Sequence, residues 1–230
     1  MVNRTAAEAK ADNIEKMGPE LGAQFSELWQ RVVKVHVYWG EFIEMFGTKE
    51  ARLDLMNESA PAFFHMLRTE LSDMILLQLS RITDKPVVAG HKTLTIRNLP
   101  SLITDDTARF AVSALVDAAL AKTETCRAHR NMLIAHDNLH LALQDKKAEL
   151  VSAPTKREID EALKAIAEVM RSVSLHLCDS DMIFDTGNPR VHGFVELLYV
   201  MRDGLKARAE REERMRSGKY TPDDLKHEDL

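Results

Sequence analysis

Arg130, Asn131, His136 and Asp137 lie in one short run, Arg130-Asn131-Met132-Leu133-Ile134-Ala135-His136-Asp137. It combines a fixed cation, an amide and an imidazole, the groups that opening a phosphodiester without a metal requires. In that chemistry a ribose 2′-hydroxyl attacks the adjacent phosphorus. A base near neutral pKa takes its proton, an acid protonates the leaving 5′-oxygen, and a cation holds the phosphorane-like charge. Histidine suits either proton transfer. Arginine suits the charge, because it stays protonated and grips phosphate oxygens with a planar fork. Arg127 and His129 lie just upstream and add positive, hydrogen-bonding character, so Arg127, His129 and Asp137 are candidate substrate-binding residues beside Arg130, Asn131 and His136.

The element that must position these groups is a helix. Val112, Ala119, Cys126 and Leu133 form a row of small and apolar side chains at seven-residue spacing, with Val116, Thr123, Arg130 and Asp137 as its companion row. Arg130 thus falls where the pattern calls for an inward side chain, and an inward guanidinium needs an anionic or hydrogen-bonding partner. At α-helical rise His136 stands about 9 Å further along the axis and roughly a third of a turn around. A long arginine and an imidazole at that spacing can flank one phosphate in a groove, above all a groove shared by two copies.

Two other readings fit the same residues. Ala135-His136-Asp137-Asn138 has the form of a helix C-terminus, where a cationic histidine favours the macrodipole, and Arg130 could pair with a carboxylate. His129, His136 and His140 would align as three imidazoles for zinc if the helix ran on past Asp137-Asn138. Yet no His-Glu-x-x-His pattern is present, and Asp137-Asn138 reads as a helix end. No metal and no cofactor is therefore assigned.

Composition bounds the alternatives. A formal charge of −5 gives no global attraction to nucleic acid, so any RNA contact must come from a local basic patch. Cys126 and Cys178 are the only cysteines, which excludes a disulfide framework or a thiolate zinc knuckle and fits a reducing compartment. The start of the chain lacks the apolar core of a signal peptide, and no apolar run is long enough to span a bilayer. The expected location is the cytoplasm, with no membrane partner.

Helical periodicity dominates the rest. One helix follows Pro19, with Phe25, Leu28, Trp29, Val32, His36, Trp39, Ile43 and Phe46 on its apolar face. His36 reads as a core histidine with a hydrogen-bond partner. A second helix begins near Ser59 and Pro61, runs through Phe64, Ile75 and Leu79 to Ile82, and has polar residues Asp73, Ser80 and Asp84 at turn spacing, read as a solvated strip or an ion pair with Arg81. Lys85–Gly90 opens a loop, and a short turn falls at Ile96–Leu99. The third helix starts near Thr104-Asp105-Asp106 and extends to about His136. Thr155-Lys156-Arg157-Glu158 is a capping box opening a fourth, through Ile159, Leu163, Ile166, Val169, Met170 and Val173. The last helix uses Phe194, Leu197, Leu198, Met201 and Leu205, then turns wholly charged, and the segment from Ser217-Gly218 onward reads as frayed. The fold class is all-α, a bundle of about five long helices with an extended C-terminal helix. The domain reading is a partly disordered arm (1–18), a helical domain (19–205) and a charged extension with a disordered tail (206–230).

At Arg130-Asn131 with His136 the chain resembles the HEPN superfamily, whose signature is an arginine, a polar residue and a histidine a few positions on. It is most similar to the AbiU-like branch, named after a phage abortive-infection protein. The likeness lies in Leu79-Ser80-Arg81-Ile82-Thr83-Asp84-Lys85, in Leu94-Thr95-Ile96-Arg97-Asn98-Leu99, and in Arg130-Asn131…Ala135-His136-Asp137, in that order, across roughly residues 20–205. The resemblance implies a HEPN-like bundle that dimerises with the motifs facing a shared cleft, and a metal-independent endoribonuclease of toxin or antiviral type acting on tRNA, rRNA or mRNA. It implies Arg130 steadying the phosphate, His136 transferring protons and Asn131 orienting the substrate. An antitoxin or regulatory protein is a further expected partner. Met132 stands where relatives often carry a basic residue, which thins the local charge, and some superfamily members are non-catalytic modules that bind RNA, nucleotides or proteins.

Overall fold

The computed structural model describes residues 5–47, 49–134, 152–180 and 193–226. In chain order these form α1 (Ala6–Met17), α2 (Pro19–Phe46), α3 (Glu50–Ser59), α4 (Pro61–Ile82), β1 (Val87–Val88), β2 (His91–Lys92), a 3-10 turn (Ile96–Asn98), α5 (Leu99–Leu102), α6 (Asp106–Lys122) and α7 (Glu124–His129). A π-helical turn (Arg130–Ile134), α8 (Lys156–Cys178), α9 (Gly193–Arg216) and a second 3-10 turn (Pro222–Leu225) complete the described chain. The architecture is an all-α bundle whose long helices are α2, α4, α6, α8 and α9. No described helix is long and apolar enough to cross a membrane.

The chain divides into two compact units, Met1–Trp39 with Glu70–Thr186, and Gly40–Thr69 with Gly187–Leu230. In the first, α6 packs along α8. The periodic residues of α8 named above, Ile159 to Val173, are all buried, and α6 buries Ala108, Val112, Val116 and Ala119. The expected capping box forms at Thr155 and Glu158, and Asp105 caps α6 by accepting from the Ala108 N–H at 2.7 Å. The Trp39 indole N–H donates to Asp160 of α8 at 2.6 Å. His36 is half-buried, with its Nδ1 2.8 Å from the Val32 carbonyl oxygen.

The residues before Pro19 carry their own helix. Thr5 and Glu8 form a capping box at the start of α1, and Gly18 takes a left-handed φ of 84° that turns the chain into α2. The two helices then cross so closely at Gly22 that a β-carbon there would stand 2.6 Å from the Ile14 Cα. In the second unit α9 packs on α3, and the buried side chains are Met45, Met56, Phe64, Phe194 and Leu198. α3 has Met56 as its one buried residue, so it leaves no apolar stripe in the sequence.

Two expectations about the ends of elements change. Lys85–Gly90 is not a plain loop: Val87 pairs with Lys92 and Val88 with His91 around a turn in which Ala89 (φ 48°) and Gly90 (φ 81°) are both left-handed. That is the backbone a tight two-residue hairpin needs. Beyond Ser217 the chain keeps a defined path through residue 226 instead of fraying. Gly218 (φ 71°) ends α9, and the Lys219 N–H donates to the Arg214 carbonyl at 2.9 Å. The chain then folds back, so that Arg214 holds the Asp224 carboxylate with both Nη2 and, at 3.1 Å, Nε.

The end of α4 is the best-anchored terminus in the first unit. The Thr83 hydroxyl bonds back to the Leu79 carbonyl at 2.9 Å, which closes the helix. The buried Thr95 hydroxyl donates to the Ile82 carbonyl at 3.0 Å, and Arg97 Nε donates to the Thr83 carbonyl at 3.0 Å. Ile96 and Leu99 beside them are fully buried, and the Asn98 amide spans Gln24 at 3.0 Å and the Thr93 carbonyl at 2.8 Å.

Both anchors can be tested by removal. Arg97→Ala takes away a charge-assisted bond to a helix C-terminus and should destabilise the protein by about 2 kcal/mol in chemical denaturation. Arg214→Ala should open the C-terminal clasp, so that limited trypsin digestion trims the tail of the variant well before that of the parent protein, with the rest of the digest unchanged.

Candidate functional site

Thr123 decides how the motif is presented. It is fully buried and its hydroxyl bonds to the Ala119 carbonyl at 3.0 Å and the Leu120 carbonyl at 3.1 Å, competing with the helical ladder. The third helix therefore breaks there into α6 and α7 instead of running unbroken to His136. At Arg130 the chain widens into the π turn, in which the backbone bonds i to i+5, a geometry concentrated at functional positions. His136 and Asp137 lie outside the described residues, as does His140.

Thr83 is also where α7 meets α4. Arg127 Nη1 donates to its carbonyl at 2.7 Å, opposite the bond from Arg97. Two guanidinium groups thus share one helix-terminal oxygen. Burial, and then the charge of Arg127, hold the Arg97 guanidinium below the usual arginine range, while Asp84, Glu124 and Asp117 act the other way. This fork sets the register between α4 and α7, and it puts Asp84 beside Arg130, Oδ2 to Nη2 at 3.9 Å. The carboxylate partner anticipated for Arg130 exists and is Asp84. Arg81, which the sequence paired with Asp73 or Asp84, is exposed instead.

Between the end of α4, the hairpin and the π turn lies a cleft of about 380 Å³, lined by Ser80, Asp84, Lys85, Arg127, Arg130 and Asn131 together with the hairpin residues Val87, Val88 and Ala89. Three cations face one carboxylate in it, a local positive site on an acidic chain. Arg130 Nη1 donates to Asn131 Oδ1 at 2.8 Å, so Asn131 orients the guanidinium. Among the described residues, the buried side-chain polar atoms without a hydrogen-bond partner are Ser80 Oγ, His129 Nδ1 and Arg130 Nε. Two of the three belong to residues lining this cleft.

Arg127, Arg130 and Asn131 thus come together, with Arg127 committed to the backbone as well as to the cleft. His129 does not line the cleft. It stands near Asp73 of α4, whose carboxyl is pushed up first by burial and then by Glu70, with His129 opposing. Sequence reasoning missed Ser80 and Asp84 as members of this site. Their turn spacing with Asp73 is the available signal, and it reads as a solvated strip or an ion pair with Arg81. Cys126 is no nucleophile here: it is fully buried and burial pushes its thiol up to about 11. Among the described residues no group of His, Cys, Asp and Glu is arranged to hold a metal ion.

The first two sequence blocks and the described part of the third, Arg130-Asn131, meet at this place: the first as the end of α4, the second as the turn that caps it, and the third at the start of the π turn. Comparison with curated proteins and with solved structures gives no match. The HEPN family AbiU2 matches residues 18–205, which takes in α2, the cleft and most of the helices described above. The chain belongs to the AbiU2 family of HEPN proteins.

Proposed function

We propose that the protein is a metal-independent endoribonuclease of phage defence or a toxin system, working as a homodimer in the cytoplasm. The observation that carries this reading is the buried, unpartnered Nε–H of Arg130, a residue that lines a cationic cleft. A buried donor left open costs roughly 1–3 kcal/mol unless something completes it, and a phosphate oxygen does so with charge assistance. Membership of the AbiU2 family supports the same assignment.

Arg130 binds the non-bridging oxygens of the scissile phosphate and carries the charge that builds as the 2′-oxygen adds. Asn131 keeps the guanidinium in that orientation. His136 moves protons: one imidazole takes the 2′-hydroxyl proton, and another, the partner subunit's His136, gives one to the departing 5′-oxygen. The 2′-oxygen–phosphorus bond forms, the phosphorus–5′-oxygen bond breaks, and the products are a 2′,3′-cyclic phosphate and a free 5′-hydroxyl. Neither metal nor cofactor enters. The alternative, a non-catalytic module that binds RNA, a nucleotide or a protein, would use the same cleft without the proton transfers. An antitoxin or regulatory protein would act by covering it.

Purified protein should cut single-stranded RNA in EDTA, with a rate optimum in histidine's titration range. Arg130→Ala should lower the rate by about 10²–10³-fold, and His136→Ala should abolish cleavage. Unchanged cutting by the histidine variant overturns the assignment of proton transfer to His136, and tight RNA binding with no cleavage by the parent protein establishes the alternative.

A further inference from the structure

The hydrogen-bonding inventory of the cleft is uneven. Lys85, Arg127 and Arg130 can only donate, and Asn131 Oδ1 is taken by Arg130 Nη1 at 2.8 Å. Ser80 is 3% exposed, and its hydroxyl, like Arg130 Nε, is buried without a hydrogen-bond partner. The anionic acceptor among the described lining residues is Asp84. Its Oδ1 accepts the Lys85 N–H at 2.9 Å, while Oδ2 stands 3.9 Å from Arg130 Nη2, too far for a hydrogen bond. The site therefore asks its ligand for two things at once: anionic oxygens for Ser80 and Arg130, and a hydroxyl proton for Asp84.

A phosphate alone meets only the first demand. It would bring its own negative oxygens against the Asp84 carboxylate, and like charges in a confined cleft repel. A deoxyribonucleotide strand has the same defect. A ribonucleotide meets both demands, because its 2′-hydroxyl is on the carbon next to the one bearing the 3′-phosphate. A cleft of about 380 Å³ has room for such a unit, since ligand sites start near 300 Å³.

Resting on the reading of Arg130 as the phosphate ligand, we infer that Asp84 accepts the hydrogen bond of the ribose 2′-hydroxyl beside the phosphate held by Arg130 and Ser80 while RNA is bound, before that proton passes to His136, and so makes the cleft select RNA over strands that lack that hydroxyl. Asp84 is a specificity residue and Ser80 a phosphate ligand. The loose Asp84–Arg130 pair holds both side chains in place until RNA arrives and separates their tasks.

The test is equilibrium binding by fluorescence anisotropy in the His136→Ala background, comparing a short single-stranded RNA with its 2′-fluoro counterpart, which keeps the sugar shape and loses the hydroxyl donor. RNA should bind about tenfold more tightly or better. Asp84→Ala should bring the two affinities together, partly by strengthening the 2′-fluoro strand, and Asp84→Asn, which keeps an acceptor oxygen, should restore part of the difference. Ser80→Ala should weaken both strands alike, and it should not lower the unfolding temperature, because it removes an unpaired buried hydroxyl. A preference that persists in Asp84→Ala, or equal binding of the two strands before any change at Asp84, overturns the inference and leaves the Arg130 reading standing. Affinities that ignore Arg130→Ala overturn both.

Discussion

Everything at the site depends on one carbonyl oxygen, that of Thr83 at the end of α4. It accepts from Arg97 on one side and from Arg127 on the other. The negative end of a helix dipole favours such partners, and each bond is charge-assisted. The consequence is positional. With α4 and α7 tied to the same atom, Asp84, one residue beyond, is held beside Arg130, one turn beyond Arg127. Loss of the fork would leave both elements helical but would free their mutual register.

That arrangement explains how an acidic protein presents a cationic cleft. The charges are not spread over a face. They are concentrated by backbone bonds, with Arg127 turned inward by Thr83 and Arg130 turned toward the hairpin by Asn131. Asp84, the one carboxylate among the described lining residues, offsets this concentration of positive charge. It also gives the cleft a chemistry that a plain basic patch lacks, since the cleft can accept a hydrogen bond from its ligand as well as donate to it.

Much of the bundle was legible because burial writes a period into the chain. α8 shows this best: its capping box and apolar row were both readable, and both formed. Arg130 as an intruder in an apolar seam was readable for the same reason, and its neighbours Val112, Ala119 and Cys126 are fully buried. α3 was not readable, because one buried methionine makes no stripe. The break at Thr123 depends on a hydroxyl choosing a backbone carbonyl, which leaves residue spacing untouched. The C-terminal clasp rests on one arginine–aspartate pair inside a run of mixed charges, where spacing cannot single it out. One of the three family blocks is scaffold: Thr95, Ile96, Arg97 and Asn98 anchor the end of α4 or its neighbours. Asp84 escaped notice because its partner is far away in sequence, and the nearer Arg81 competed for it on paper.

The central claim is that the Nε–H of Arg130 is an open donor awaiting a phosphodiester. Its resonance in a ¹H–¹⁵N spectrum, assigned by its disappearance in Arg130→Lys, reports on that atom alone. Titration with dimethyl phosphate, a minimal phosphodiester, should shift this resonance downfield in a saturable manner, with Arg97 unmoved. A saturating shift at another arginine while Arg130 stays still would contradict the account.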